Sequence, residues 1–327
     1  MMNRRDFLAA SSALAATVSF PKALYAASGN PDRRLICGAT PGAIGDHLAK
    51  GAVALLPEHD HAAYRIETTD RDSNREAIRR AKASAADGTV MLQSQSGPMV
   101  LYPSLYQRLD YSPLNDFKPV VLLGEYSYGF FVGPAVPGTV TTINGYLDWV
   151  RENPDYRDVA YAHNGSQAHL LTLMLGRIRE TAIRPQGYSS ALAIMNDLGN
   201  KTIAAGVAIL GNLAQAKAEG IRAIAVTDEE RHPALPTVAT FSEQGILDLN
   251  LKGWFGWFVP AATADAIVQE ISDQAKAMEI RSEYASLQRE LLLTAATDSP
   301  AEIHNRMVRE TADFARLVKS YGISYLG

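Results

Sequence analysis

The chain has 327 residues, with 31 Lys and Arg against 35 Asp and Glu, a formal net charge of −4. A mildly acidic chain without a Lys/Arg cluster has no electrostatic footprint for nucleic acid or anionic lipid. A single cysteine, Cys37, excludes an intramolecular disulfide.

Residues 1–26 read as an export signal. Arg4 and Arg5 precede an uncharged run over 8–20, and Ala23, Ala26 and Ala27 offer small-residue cleavage sites. The run is too short for a stable span, and no later stretch is long and apolar enough for one. The order Arg4-Arg5-Asp6-Phe7-Leu8 is similar to a twin-arginine signal, which implies export of a folded protein to a bacterial periplasm. Arg4, Arg5 and Lys22 leave with the signal against Asp6 alone, so the mature chain is more acidic still.

From residue 33 short apolar runs alternate with helical spacing. Strands are expected at 33–38, 63–67 and 89–93, with helices at 44–56 and 74–86. Further on, helices are expected at 143–152, 168–180 and 192–198, with strands at 159–162, 203–208 and 221–226. Such a rhythm predicts parallel sheets flanked by helices. Two aromatic segments at 126–132 and 254–259 are too short and β-rich for helices. Read as crossover strands, they build one lobe from 29–130 plus 255–327 and a second from 131–254, with a cleft at the hinge.

No Gly-x-Ser-x-Gly elbow, Gly-x-Gly-x-x-Gly, Walker loop or His-Glu-x-x-His occurs. Glu58-His59-Asp60-His61 reads as a solvated loop rather than a metal site. Cys37 sits in an apolar run and reads as a small buried hydrophobe. Arg231 reads as a loop-fixing ion-pair residue, and Trp254, Trp257 and Phe258 as packing. No metal, cofactor or catalytic set is expected.

The candidate ligand site lies in small-residue turns at strand ends. The turn at 38–45 contains Pro41, Gly42, Ala43 and Gly45; a second at 94–97 contains Ser96 and Gly97. A third, His163-Asn164-Gly165-Ser166, precedes a helix that Ser166 can cap. Tyr188 opens another helix at a loop. Glycines allow close backbone approach, and helix N-termini favour anions. All three turns fall at the carboxyl ends of strands expected to be parallel, the edge where open α/β sheets bind ligands.

Several motifs resemble one family. Asp87-Gly88-Thr89, Pro103-Ser104-Leu105-Tyr106, Leu109-Asp110-Tyr111-Ser112-Pro113 and Asp116-Phe117-Lys118-Pro119-Val120 resemble segments of the Bug-type receptors of tripartite tricarboxylate transporters. So do Gly165-Ser166, the run Arg222 to Thr227, Leu235-Pro236-Thr237-Val238 and Phe258-Val259-Pro260-Ala261, in family order across the mature chain. The resemblance implies an α/β, two-lobed periplasmic binding protein of type II-like form, with two crossover strands and a hinge cleft. It implies a monomeric, non-enzymatic receptor that closes over a small organic carboxylate and presents it to a membrane permease; a sensor receptor is the alternative partner. A Ser166/His hydrolase is the remote alternative. Carried over by position, the ligand contacts are Pro41, Gly42, Ala43, Gly45 and Asp46; Ser96 and Gly97; Gly165 and Ser166; and Tyr188, Ser189 and Ser190.

Four departures bear on the ligand. Residues 68–74 replace a glycine turn with a charged one. His163, before Asn164, stands where the family usually has glycine, and if cationic would favour a second ligand carboxylate. Ser190 narrows a Tyr-x-Gly approach. The stretch through Ala204 lacks the usual carboxylate, which disfavours an amino-acid ammonium.

Overall fold

A computed structural model describes residues 32–57, 64–179, 183–247, 249–324 and 326. The expected export signal and the 58–61 cluster lie outside them.

The first sheet is built on two largely buried strands, β1 (Arg34–Gly38) and β3 (Val90–Gln95), with the polar, half-exposed β2 (Arg65–Thr69) at its edge. β1 pairs in parallel with both β2 and β3. Helices α1 (Ile44–Leu55) and α2 (Arg75–Lys82) follow β1 and β2. A π-helical turn at Gly97–Leu101 leads into the short α3 (Tyr102–Leu105) and α4 (Pro113–Asp116).

β4 (Phe117–Val132) is the backbone of the molecule, 16 residues long and buried along nearly its whole length. Its first part, Phe117 to Ser127, runs antiparallel to β9 (Lys252–Pro260), which in turn pairs antiparallel with β3. From Tyr128 onward β4 changes partners, to β7 (Ala205–Ile209) and β8 (Arg222–Val226). The strand expected at 126–132 therefore starts nine residues earlier. Pro119 obscured it in sequence, since proline cannot donate to a ladder; here the register shifts beside it, between Pro119 and Val121. A second shift ends at Gly124, whose φ of +147° suits glycine, and a Cβ there would press on the Thr294 carbonyl at 3.2 Å.

The second sheet repeats the parallel pattern. β5 (Asp158–Ala162) lies between β7 and β6 (Arg184–Tyr188), parallel to both. β6 escapes apolar periodicity because it carries Pro185 and Gly187 at the sheet edge, where proline is tolerated. Around this sheet are α5 (Ile143–Glu152), α6 (Gln167–Ile178), α7 (Ala191–Gly199) and the single turn α8 (Asn212–Gln215). After β9 the chain forms α9 (Asp265–Glu279), α10 (Ser282–Glu290) and α11 (Pro300–Ser320), the last opened by a Ser299/Glu302 capping box. The order across the joined sheet is β2-β1-β3-β9-β4-β7-β5-β6, with β8 also on β4. Two parallel sets are thus welded by two antiparallel strands. Trp254, Trp257 and Phe258 on β9 are fully buried, the packing role expected of them.

Candidate functional site

The carboxyl ends of both parallel sets face one cleft, enclosing about 600 Å³ with its open mouth. The first sheet contributes Ala39 and Thr40 after β1, Ile44 and Gly45 opening α1, Asn74 before α2, and Gln95 ending β3. The second contributes Ala162 ending β5 and His163 after it, Ser166 and Ala168 at α6, Ala191 opening α7, Ile209 ending β7 and Asn212 after it. Tyr128 and Phe255, from the two crossing strands, complete it. No Lys, Arg, Asp or Glu side chain lines it among the described residues.

Helix starts supply the missing positive potential. α1, α6 and α7 all open at the cleft, and their first-turn N–H groups have no intrahelical acceptor. At α1 the N-cap is Ala43, with no side-chain cap, so the amides of Ile44 and Gly45 are left to the cleft.

The loop over 39–46 is fixed from behind. Asp46 is 1 % exposed and accepts from Gly42 N at 2.7 Å, Lys50 Nζ at 2.7 Å and Thr68 Oγ1 at 3.0 Å. Burial alone would push its carboxyl up, but these hydrogen bonds outweigh it and hold it below the usual carboxylate range. Asp46 is a positioning residue under the loop, not part of the cleft wall. Gly42, at φ +79°, spends its amide on that carboxylate.

Ser166 caps α6. Its Oγ accepts from His169 N at 3.1 Å, which leaves the hydroxyl hydrogen free to donate. The His169 Nδ1 accepts from Gly165 N at 3.1 Å, and its ring stacks on Tyr161 with centroids 4.2 Å apart. Ser166 thus meets the backbone of His169, not its imidazole, and the geometry is that of a cap rather than a nucleophile–base pair. His163 lies in the left-handed region at φ +61°. Burial pushes its pKa below 6.5, against a smaller upward pull from Asp70. Burial thus favours the neutral imidazole over the cation on which the sequence reading made a second carboxylate conditional.

Of the residues singled out in sequence, Ala43, Gly45, His163 and Ser166 line the cleft; the others surround it. Pro41 is exposed. Ser96 is buried in a network with Gln167, and Gly97 starts the π-helical turn. Asn164 accepts from Tyr161 through its side chain and from Tyr106 through its carbonyl. A Cβ on Gly165 would strike Leu326 and Tyr106. Tyr188 donates to Asp197 at 2.8 Å, Ser189 is exposed, and Ser190 caps α7 through Ala193 N. Ala204 is buried, its carbonyl held by Gly133 N. Sequence reasoning held Asn74 only within the charged 68–74 turn and Tyr128 and Phe255 only within the two crossing segments, and it did not single out Asn212. Only the folding of two sheets against each other brings them together.

Comparison with known proteins gives a consistent result. Residues 76–319 match the profile of the tripartite tricarboxylate transporter family receptor. Protein BugT of Bordetella pertussis (strain Tohama I) is 29 % identical over 192 residues; the match spans 57 % of each chain, so the chain covers little more than half of BugT's length. The structure of the periplasmic binding protein BugD superposes with a TM-score of 0.82 at 20 % identity, over 90 % of this chain and 98 % of that one. The structure of R. palustris Rpa4515 with adipate gives 0.81 at 23 %, over 90 % and 98 %. At these identities the superpositions speak to fold, that of two-lobed periplasmic binding proteins.

Proposed function

The chain belongs to the family of tripartite tricarboxylate transporter receptors, and from that premise we propose that it is a periplasmic receptor for a small organic carboxylate. The observation that carries this is the convergence of the α1, α6 and α7 N-termini on a cleft that no Lys or Arg side chain lines among the described residues. Such an arrangement binds an anion through N–H groups and helix dipoles, and charge is matched without burying a cation. The apolar floor of Ala162, Ala191, Val207 and Ile209 suits a short carbon skeleton. The adipate bound to the similarly folded Rpa4515 supports the same ligand class.

In this reading the lobes are 29–130 with 255–327 and 131–254, the signal at 1–26 is removed, and the protein works as a monomer. Ligand binding favours the closed arrangement, which a permease of the tripartite tricarboxylate type then recognises. Contacts across the cleft fit a closed form. Gln215 Nε2 meets His47 Nδ1 at 3.0 Å, and Tyr106 donates to the Asn164 carbonyl at 3.1 Å. Small-angle scattering with and without a carboxylate identified by calorimetry tests this. Compaction on binding is expected; unchanged dimensions at saturation would remove the closing mechanism.

A further inference from the structure

The α8 turn touches the first half of the molecule along its whole length. Gly211, just before it, lies so close that an added Cβ would meet the Leu291 carbonyl at 2.2 Å and Ile44 at 3.0 Å. Asn212, 2 % exposed, lines the cleft. Gln215 ends the turn and is not part of the cleft wall, yet its amide is fully spent. Its Nε2 meets the Gly42 carbonyl at 3.4 Å and His47 Nδ1 at 3.0 Å, and its Oε1 accepts from Asn212 Nδ2 at 3.3 Å.

Gly42 fixes the direction of these bonds. A carbonyl can only accept, so the amide nitrogen must face it, and the second hydrogen of that nitrogen goes to His47, whose Nδ1 accepts. Gly42 is therefore held on both sides. Its N–H is bound by Asp46 at 2.7 Å from within the first half, and its carbonyl by Gln215 from the second. The amides of Ile44 and Gly45, a few atoms further on, are those left to the cleft. One side chain thus joins the loop that presents those amides to Asn212 on the opposite wall. The contact is close to solvent, with His47 exposed and Gln215 half-buried. Hydrogen bonds there are weak in net terms and exist only while the two halves are together.

Resting on the closing carboxylate receptor, we propose that Gln215 is the latch of the closed cleft, a positioning residue that does not touch the ligand and slows its release by holding the Gly42 loop and His47 to the second half.

Rapid-mixing kinetics on refolded, ligand-free protein test this, using the tightest binder among acetate, malonate, succinate, malate and adipate. Gln215→Met, similar in length but without the amide, should release that acid about three- to tenfold faster. Its association rate should stay within about twofold of wild type. The unfolding temperature of the ligand-free protein should not move, because the latch forms only on closure. His47→Ala should also speed release, and the double variant should release no faster than Gln215→Met alone, since both remove one contact. Release at the wild-type rate, an equal loss of ligand-free stability, or effects of the two variants that simply add overturns the latch and leaves the receptor standing. Failure of all five acids to bind overturns the receptor and the latch with it.

Discussion

Ser96 donates its hydroxyl to Gln167 Oε1 over 3.0 Å, both side chains buried, and so ties the end of β3 to the start of α6. Gln167 Oε1 also accepts from Tyr128 OH at 3.0 Å, and its Nε2 donates to the Lys252 carbonyl at 3.1 Å. Trp254 N donates to Ser96 Oγ at 3.3 Å. These groups surround the point where β4 leaves β9 for β7. One amide therefore holds both crossing strands and both sheets, and fixes the angle at which the two halves of the cleft meet.

Gln167→Leu would strand two hydroxyls and a carbonyl in that network. Each unmet group costs about 1–3 kcal/mol, partly relieved by relaxation. A loss of about 2–4 kcal/mol in denaturant unfolding is expected. A loss under about 1 kcal/mol would show that the network does not bear on stability.

Ser166 has two separable duties. Ser166→Ala should lower stability by about 1 kcal/mol through the lost cap and ligand affinity by roughly 1–3 kcal/mol through the lost hydroxyl donor. Ser166→Asp should restore the cap, since aspartate caps as well as serine, yet repel a carboxylate. Unchanged affinity in both variants would leave Ser166 as a helix cap only.

Gly211, after β7, faces the Leu291 carbonyl and Ile44 from the other half of the molecule, and a Cβ would run into that carbonyl. Its backbone is ordinary, at φ −58°, so alanine adds bulk without local strain. Gly211→Ala should hold the halves apart and weaken ligand binding by about 1–3 kcal/mol, the range for overpacking. Calorimetry against the wild-type chain checks it; equal affinity would mean that this contact yields freely.

Acid should destabilise the protein through His169. Burial lowers its pKa from 6.5 to about 4, and its Nδ1 is committed to accepting from Gly165. The folded state resists protonation, so between these values the unfolded chain binds more protons. Stability is full above about pH 6.5 and falls as pH drops toward 4, by roughly 1–3 kcal/mol given partial exposure. His169→Asn keeps an acceptor without a titrating ring, and should flatten the profile over that interval. Asp46 acts in a separate window. Its pKa is held below the ordinary 3.8, so its contribution persists above that value and is lost only at lower pH.

The fold was legible because its signals are local. Short apolar runs before small-residue turns mark the strands, and the aromatic segments of β4 and β9 mark the crossings. The cleft was legible only where backbone makes it, at Ala43, Gly45 and the Ser166 cap. Asn74, Gln95 and Asn212 carry no such mark, because a polar residue beside a turn reads the same whether it faces solvent or a ligand. Asp46 shows the converse. Its place in the ligand loop suggested contact, but the carboxylate folds beneath the loop toward Lys50 and Thr68.

Thermal unfolding of refolded, ligand-free protein against carboxylates and their uncharged amide isosteres tests the central claim, anion capture by helix N-termini, most directly. A carboxylate at 100 times its dissociation constant should add about 2.7 kcal/mol, visible as a raised unfolding temperature, while its uncharged isostere adds little. Isosteres that stabilise as strongly as the acids would contradict the anion site.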